Sequence, residues 1–155
     1  MKYSLLIICL VILFSCKENS NTNPENPINE STEEITTMEG AWRLVSYFNY
    51  RDDGTVDTIL ASNTNKQIKM YSPTKVMWSR TRISDSIDWF AYGDYTVKNG
   101  VLTEILDYGS KSMNEVIKDQ TEFTFNIDIQ ENEFSQIELD SLGRQIYAEN
   151  YIRIE

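Results

Sequence analysis

The 155-residue chain contains no histidine, two cysteines and three prolines. Without histidine, Ser-His and Cys-His nucleophiles and histidine-bound metals are excluded. With one cysteine, Cys9, inside an N-terminal apolar run, no disulfide framework is available to the domain that follows. Positive charge is also scarce, with 14 Lys and Arg against 24 Asp and Glu, a net charge of −10. That balance opposes binding to nucleic acid and electrostatic adsorption to anionic lipid. No apolar run is long enough to span a bilayer, which takes roughly 20 residues. Leu5 to Phe14 is uncharged but has the length of the hydrophobic region of a secretory signal, behind the positive Lys2.

The signal ends in Leu13-Phe14-Ser15-Cys16. This resembles the lipobox of bacterial lipoproteins, with Phe14 where a smaller residue is usual. The resemblance implies removal of residues 1–15, a diacylglycerol thioether on Cys16 and an acylated amino group. Several acyl chains give stable anchoring where one would be marginal. An ordinary cleaved signal with a coincidental cysteine is the alternative. Lys17-Glu18 next to Cys16 resembles the Lys-acidic signal that sends lipoproteins of some Bacteroidota to the cell surface, although Asn19 stands where a second acid is often found. The expected location is the cell envelope, as an outer-membrane lipoprotein exposed to the outside. The loss of Lys2 makes the mature charge −11.

Lys17 to Met38, within a tether spanning 16–38, is rich in Asn, Glu, Ser and Thr and holds two of the three prolines. Such a segment buries too little apolar surface to offset ordering and is expected to be disordered. As a coil its ends would lie roughly 26 Å apart. Residues 39–155 form one domain, long enough to bury roughly two-thirds of its unfolded surface in a single core.

Within this domain strand follows strand. Phe123, Phe125, Ile127 and Ile129 alternate with Glu122, Thr124, Asn126 and Asp128, a period of two that marks a half-buried strand. Trp42, Leu44 and Phe48 are expected on one face of Ala41 to Asn49; Ile68 shares a face with Met70, and Val76 with Trp78. Val101 to Leu106 and Ile146 to Ile154 also have strand character. Asn99-Gly100 predicts a two-residue hairpin with positive φ at both residues. Asp53-Gly54, Leu142-Gly143 and Glu131-Asn132 mark further turns. Ser110 to Asp119 is the one helical pattern, with Ser110 or Ser112 as cap and Met113, Val116 and Ile117 on one face. The expected fold is all-β: an antiparallel up-and-down barrel of eight or nine strands with one short helix, closed to remove its edges. A sandwich of the same strands is the alternative.

Glu39-Gly40-Ala41-Trp42-Arg43-Leu44 resembles the Gly-x-Trp opening strand of the lipocalin superfamily. It is closer still to small lipocalin-like lipoproteins of Bacteroidota, whose central Gly-x-Tyr strand, following Glu and closing Glu-aromatic-Arg strand match Gly93-Asp94-Tyr95, Glu104, and Glu149, Tyr151 and Arg153. The resemblance implies that Trp42 packs beneath the barrel against Arg153, a structural closure. If Arg153 then points inward, so do Tyr147, Glu149 and Tyr151; otherwise Ile146, Ala148 and Ile152 line the core. The first arrangement gives candidate ligand-binding residues Trp78, Arg80, Trp89, Tyr95, Glu104, Glu149 and Tyr151. Glu104 and Glu149 would be a buried acid pair or neutralised by Arg153 and Arg80.

No spacing singles out a catalytic pair, and no cofactor or metal is implied. The Arg51–Asp57 acids do not have calcium-loop spacing and suit a hairpin turn. Asp57-Thr58-Ile59, Asp85-Ser86-Ile87 and Asp140-Ser141-Leu142 resemble the Asp-Ser/Thr-apolar O-glycosylation acceptor of Bacteroidota, making Thr58, Ser86 and Ser141 candidate sites. Asp-Ser and Asp-Thr also simply favour turns. Two functions follow: a membrane-anchored barrel that binds a small apolar or amphipathic ligand, or a filled barrel that docks on another envelope protein.

Overall fold

The structure, a computed structural model, describes residues 37–84 and 86–155. The signal, Cys16 and almost all of the expected tether lie outside the described residues, as does Asp85.

Among the described residues, nine antiparallel strands and one helix follow in order: β1 (Gly40–Tyr50), β2 (Val56–Leu60), β3 (Asn65–Tyr71), β4 (Lys75–Arg82), β5 (Ile87–Lys98), β6 (Val101–Gly109), α1 (Lys111–Asp119), β7 (Glu122–Ile129), β8 (Glu133–Leu139) and β9 (Gln145–Arg153). Each strand from β3 to β9 pairs with its successor, and β9 pairs back with β1. β1 in turn pairs with β3, which closes a ring of eight. β2 stands outside that count. It pairs with the second half of β1, Ser46 to Tyr50, while β3 takes the first half, Gly40 to Arg43. β2 and β3 thus occupy one edge of β1 in succession, with the chain leaving the sheet between them. Every strand pairing of the ring forms between Gly40 and Arg153, so the barrel is complete within that span.

Local chemistry explains the turns. Asn99 and Gly100 have φ of 52° and 74°, the left-handed pair that matches hairpin twist. Ser110 caps α1, its Oγ accepting from the Met113 amide at 3.3 Å. Met113 is buried beneath the helix and Ile117 packs on the core, whereas Val116 is 37% exposed. Gly93 is needed where β6 crosses closest: a Cβ there would stand 2.1 Å from the Ile105 carbonyl oxygen.

One face of β1 departs from simple alternation. Leu44 lies opposite Tyr151 and Ser46 opposite Asn150, so Val45 is an extra residue in a bulge. The bulge switches the inward parity. Trp42 and Leu44 are buried before it, and Tyr47 (2% exposed) after it. Phe48, expected beside Trp42 and Leu44, therefore turns outward against Tyr50. The face shared by Ile68 and Met70 is likewise the outer one, with Met70 45% exposed, while Gln67, Lys69 and Tyr71 are buried inside.

Aromatic rings fill the core at the Gly40 end. Trp42, Tyr71, Phe134 and Tyr151 are buried together, with ring centroids 4.8 Å apart for Trp42–Phe134 and 4.6 Å for Phe134–Tyr151. Met38 covers this end, and its carbonyl accepts from Trp42 Nε1 at 2.8 Å.

Candidate functional site

The last strand directs Tyr147, Glu149, Tyr151 and Arg153 to the inside. Glu149 and Tyr151 are buried, Tyr147 is half-buried, and Ile146 on the other face is 40% exposed. The Arg153 guanidinium lies 4.0 Å from the Trp42 ring centroid. It also donates to the carbonyls of Glu131 (2.5 Å), Thr37 (2.8 Å) and Glu39. This one side chain ties the chain entry to the β7–β8 turn and seals the lower end.

Above the aromatic floor lies a polar layer. Lys69 Nζ donates to Glu104 (2.9 Å) and Gln136 (2.6 Å), and the Tyr71 hydroxyl donates to the same Glu104 oxygen at 2.7 Å. Lys69 and Glu104 are each 2% exposed. Glu104 is therefore neutralised by Lys69, and not by Arg153 or Arg80, nor is it part of an acid pair with Glu149. Glu149 accepts from the Tyr151 hydroxyl at 2.5 Å and, more distantly, from Gln67 and the Tyr147 hydroxyl, both at 3.4 Å. Gln67 also donates to the Tyr151 hydroxyl at 2.9 Å. Burial first, and then the negative charge of Glu104 for Tyr71 and of Glu149 for Tyr151, push both phenols well above their usual range.

The other end is open. A cavity of about 130 Å³ remains inside the barrel, bordered by Trp78, Arg80, Glu104, Phe125 and Glu149 among others. Beyond it, at the end where β2 parts from β3, is a cleft of about 790 Å³ lined by Tyr47, Asn49, Ile59, Thr64, Asn65, Arg82, Ile83, Ser84 and Tyr147. Tyr47 and Tyr147 stack at 5.8 Å with ring planes 30° apart. Desolvation, followed by the charge of Glu149, raises the pKa of both. Arg80 acts in the opposite direction on both, and Arg82 on Tyr47. Arg80 packs over Trp89, guanidinium carbon to ring centroid 5.4 Å.

The sequence-derived candidates thus divide by depth. Trp78, Arg80, Glu104 and Glu149 border the inner cavity, with Trp89 against Arg80. Tyr151 is stacked on Phe134 in the floor. Tyr95 is at the closed end, ring to ring with Tyr71 at 4.8 Å, its hydroxyl donating to the Ser72 carbonyl at 2.9 Å. Sequence reasoning overlooked Tyr47, Asn65, Gln67, Lys69, Arg82, Gln136 and Tyr147 as site residues. Lys69 lies directly across from Trp42 and shares its face, a register that only the structure supplies. Thr58, Ser86 and Ser141 are all exposed, Thr58 on β2 and the other two in the β4–β5 and β8–β9 turns.

The described domain is an antiparallel barrel of the lipocalin-like type, plugged at one end and open at the other. No family model and no curated protein matches the chain. Among solved structures it is similar to a lipocalin-like protein from Bacteroides uniformis ATCC 8492, with 17% identity and a TM-score of 0.50 over 75% of this chain and 97% of that one. It is also similar to an uncharacterized protein from Bacteroides eggerthii DSM 20697, with 16% identity and a TM-score of 0.49 over 76% and 99%. At such identity the likeness to the first speaks to the fold alone.

Proposed function

We propose that this chain is an exported lipoprotein, anchored through Cys16 at the outer membrane, whose barrel binds a small amphipathic molecule at its open end. The reading is of a carrier or receptor domain and not of a catalyst. The carrying observation is the roughly 790 Å³ cleft over a sealed barrel. It has the size of small-molecule sites, and its mixture of apolar walls and a few convergent polar groups is typical of them. The inner cavity of about 130 Å³ is too small for a ligand by itself. A ligand would lie in the mouth and extend only its end toward Trp78 and Phe125.

A second reading has its own support. Met70, Met77, Tyr92 and Tyr108 are consecutive cross-strand partners on the outer face of β3 to β6. Met70, Met77 and Tyr108 are 45%, 48% and 52% exposed. An apolar row of this kind, with adaptable methionines, suits contact with another envelope protein.

Native mass spectrometry of the chain from Lys17 onward, exported and purified from its own host, separates the two. A reproducible small-molecule adduct is the expected result; bare polypeptide in every preparation would favour the docking module. The anchor is tested separately by fractionating cells that carry Cys16→Ser. Release from the membrane fraction is expected, and unchanged partitioning would overturn the lipoprotein assignment.

A further inference from the structure

We propose that the mouth selects a small organic monoanion: a flat apolar body carrying one carboxylate or sulfonate, with a hydrogen-bond donor close by. This rests on the ligand-binding reading above and adds the identity of the head group.

Two buried polar atoms without partners, of opposite kind, define it. Arg80 Nε, a donor, is shielded from solvent and makes no hydrogen bond. Asn65 Oδ1, an acceptor, is in the same condition. Buried polar groups are nearly always satisfied, so an orphan in a native site calls for an explanation. The two lie on adjacent paired strands, since Asn65 is the cross-strand partner of Arg82, two residues along β4 from Arg80. Arg80 and Arg82 point to the same face, roughly 7 Å apart along the strand. Among the described residues neither has a carboxylate at ion-pair distance. A guanidinium pair at that spacing suits a carboxylate or sulfonate, whose paired oxygens a guanidinium fork can engage. Asn65 lines the mouth, where a turn of its side chain would bring Oδ1 to a donor next to that head group, and the stacked Tyr47 and Tyr147 offer an adjacent aromatic wall.

The acids facing the site set the charge. Glu149 borders the inner cavity, where Tyr151, Gln67 and Tyr147 donate to it. Glu138 borders it at the solvent-exposed rim, where water screens it. Lys69 and Glu104 also border the cavity and cancel as an ion pair, so two guanidiniums against the Glu149 carboxylate leave a single net positive charge, which a monoanion matches and a dianion exceeds.

The test is a fluorescence titration of the chain from Lys17 onward with two probes. One is 1-anilinonaphthalene-8-sulfonate. The other is N-phenyl-1-naphthylamine, the same rings and N–H without the sulfonate. The sulfonate probe is expected to bind at least tenfold more tightly than the neutral one. Arg80→Gln and Arg82→Gln should each weaken the sulfonate probe tenfold or more and leave the neutral probe within twofold. Arg82 lies at the rim, so its variant keeps the test decisive if Arg80→Gln does not fold, as judged by circular dichroism. Equal affinities for the two probes, or arginine variants that do not change sulfonate affinity, would overturn the anion assignment and leave ligand binding standing. Failure of both probes to bind the unaltered protein would count against the ligand-binding reading itself.

Discussion

Lys69→Met isolates the central ion pair. Lys69 and Glu104 are both 2% exposed, and Nζ and Oε1 are 2.9 Å apart. Methionine fills a similar volume without the charge. The substitution leaves a carboxylate buried, with only the Tyr71 hydroxyl still donating to it. Breaking a buried pair from one side typically costs about 3–5 kcal/mol. At about 4 °C per kcal/mol for a domain of this size, the midpoint of thermal unfolding should fall by about 12–20 °C. Glu104→Gln leaves the ammonium buried, with the Gln136 oxygen still accepting, and should cost a similar amount. The double variant removes both charges and should be more stable than the sum of the singles by about 2 kcal/mol or more. Calorimetry or chemical denaturation of the four proteins at neutral pH measures this cycle. Single variants whose losses simply add, or fall below about 1 kcal/mol, would refute the claim that the layer works as a desolvated pair.

The closure can be tested at Arg153. Arg153→Lys keeps the charge but loses the fork that reaches three carbonyls and the flat stacking on Trp42, so a loss of about 1–3 kcal/mol is expected in denaturation; a change under about 0.5 would show the seal to be dispensable. The buried phenols give an alkaline signature. Tyr71 and Tyr151 have pKa values raised well above 10.0 in the folded state, so the unfolded chain releases their protons first. Their contribution to stability is complete below pH ~10 and declines as pH rises beyond it. Absorbance at 295 nm should therefore show these tyrosines ionising only together with loss of the far-ultraviolet dichroism; ionisation of every tyrosine near pH 10 in a folded protein would contradict their burial.

The parts legible in the sequence were those whose signal is local. The Phe123–Ile129 alternation, the Asn99-Gly100 turn and the Ser110 cap each depend on residues a few positions apart, and each appears where expected. What escaped depended on distant partners. Lys69 meets Glu104 across 35 residues and Gln67 meets Tyr151 across 84. In β3 the polar residues face inward and Ile68 and Met70 share the outer face, so the alternation was legible but not its direction. β9 has the same inversion, and there Trp42 and Arg153 gave the orientation. The bulge at Val45 left no local mark: a single inserted residue exchanged Phe48 for Tyr47 on the inner face, and with it an aromatic wall of the mouth.

The polar layer bears on which function the barrel serves. A barrel that only holds up its loops gains little from burying Lys69, Glu104, Gln136, Gln67 and Glu149. Replacing buried ion pairs with apolar residues of similar volume is often neutral or stabilising. The lower end of the barrel is filled with aromatic rings, so apolar filling is available to this sequence. The polar groups are concentrated where that filling stops and the mouth begins, and Gln67 and Glu149 link the layer to Tyr47 and Tyr147 in the wall. Such a network fixes the orientation of the groups above it. A floor of fixed dipoles and charges under an open cleft is consistent with recognising a polar end of a ligand, and it has no evident use beneath a surface that works only through its outer face.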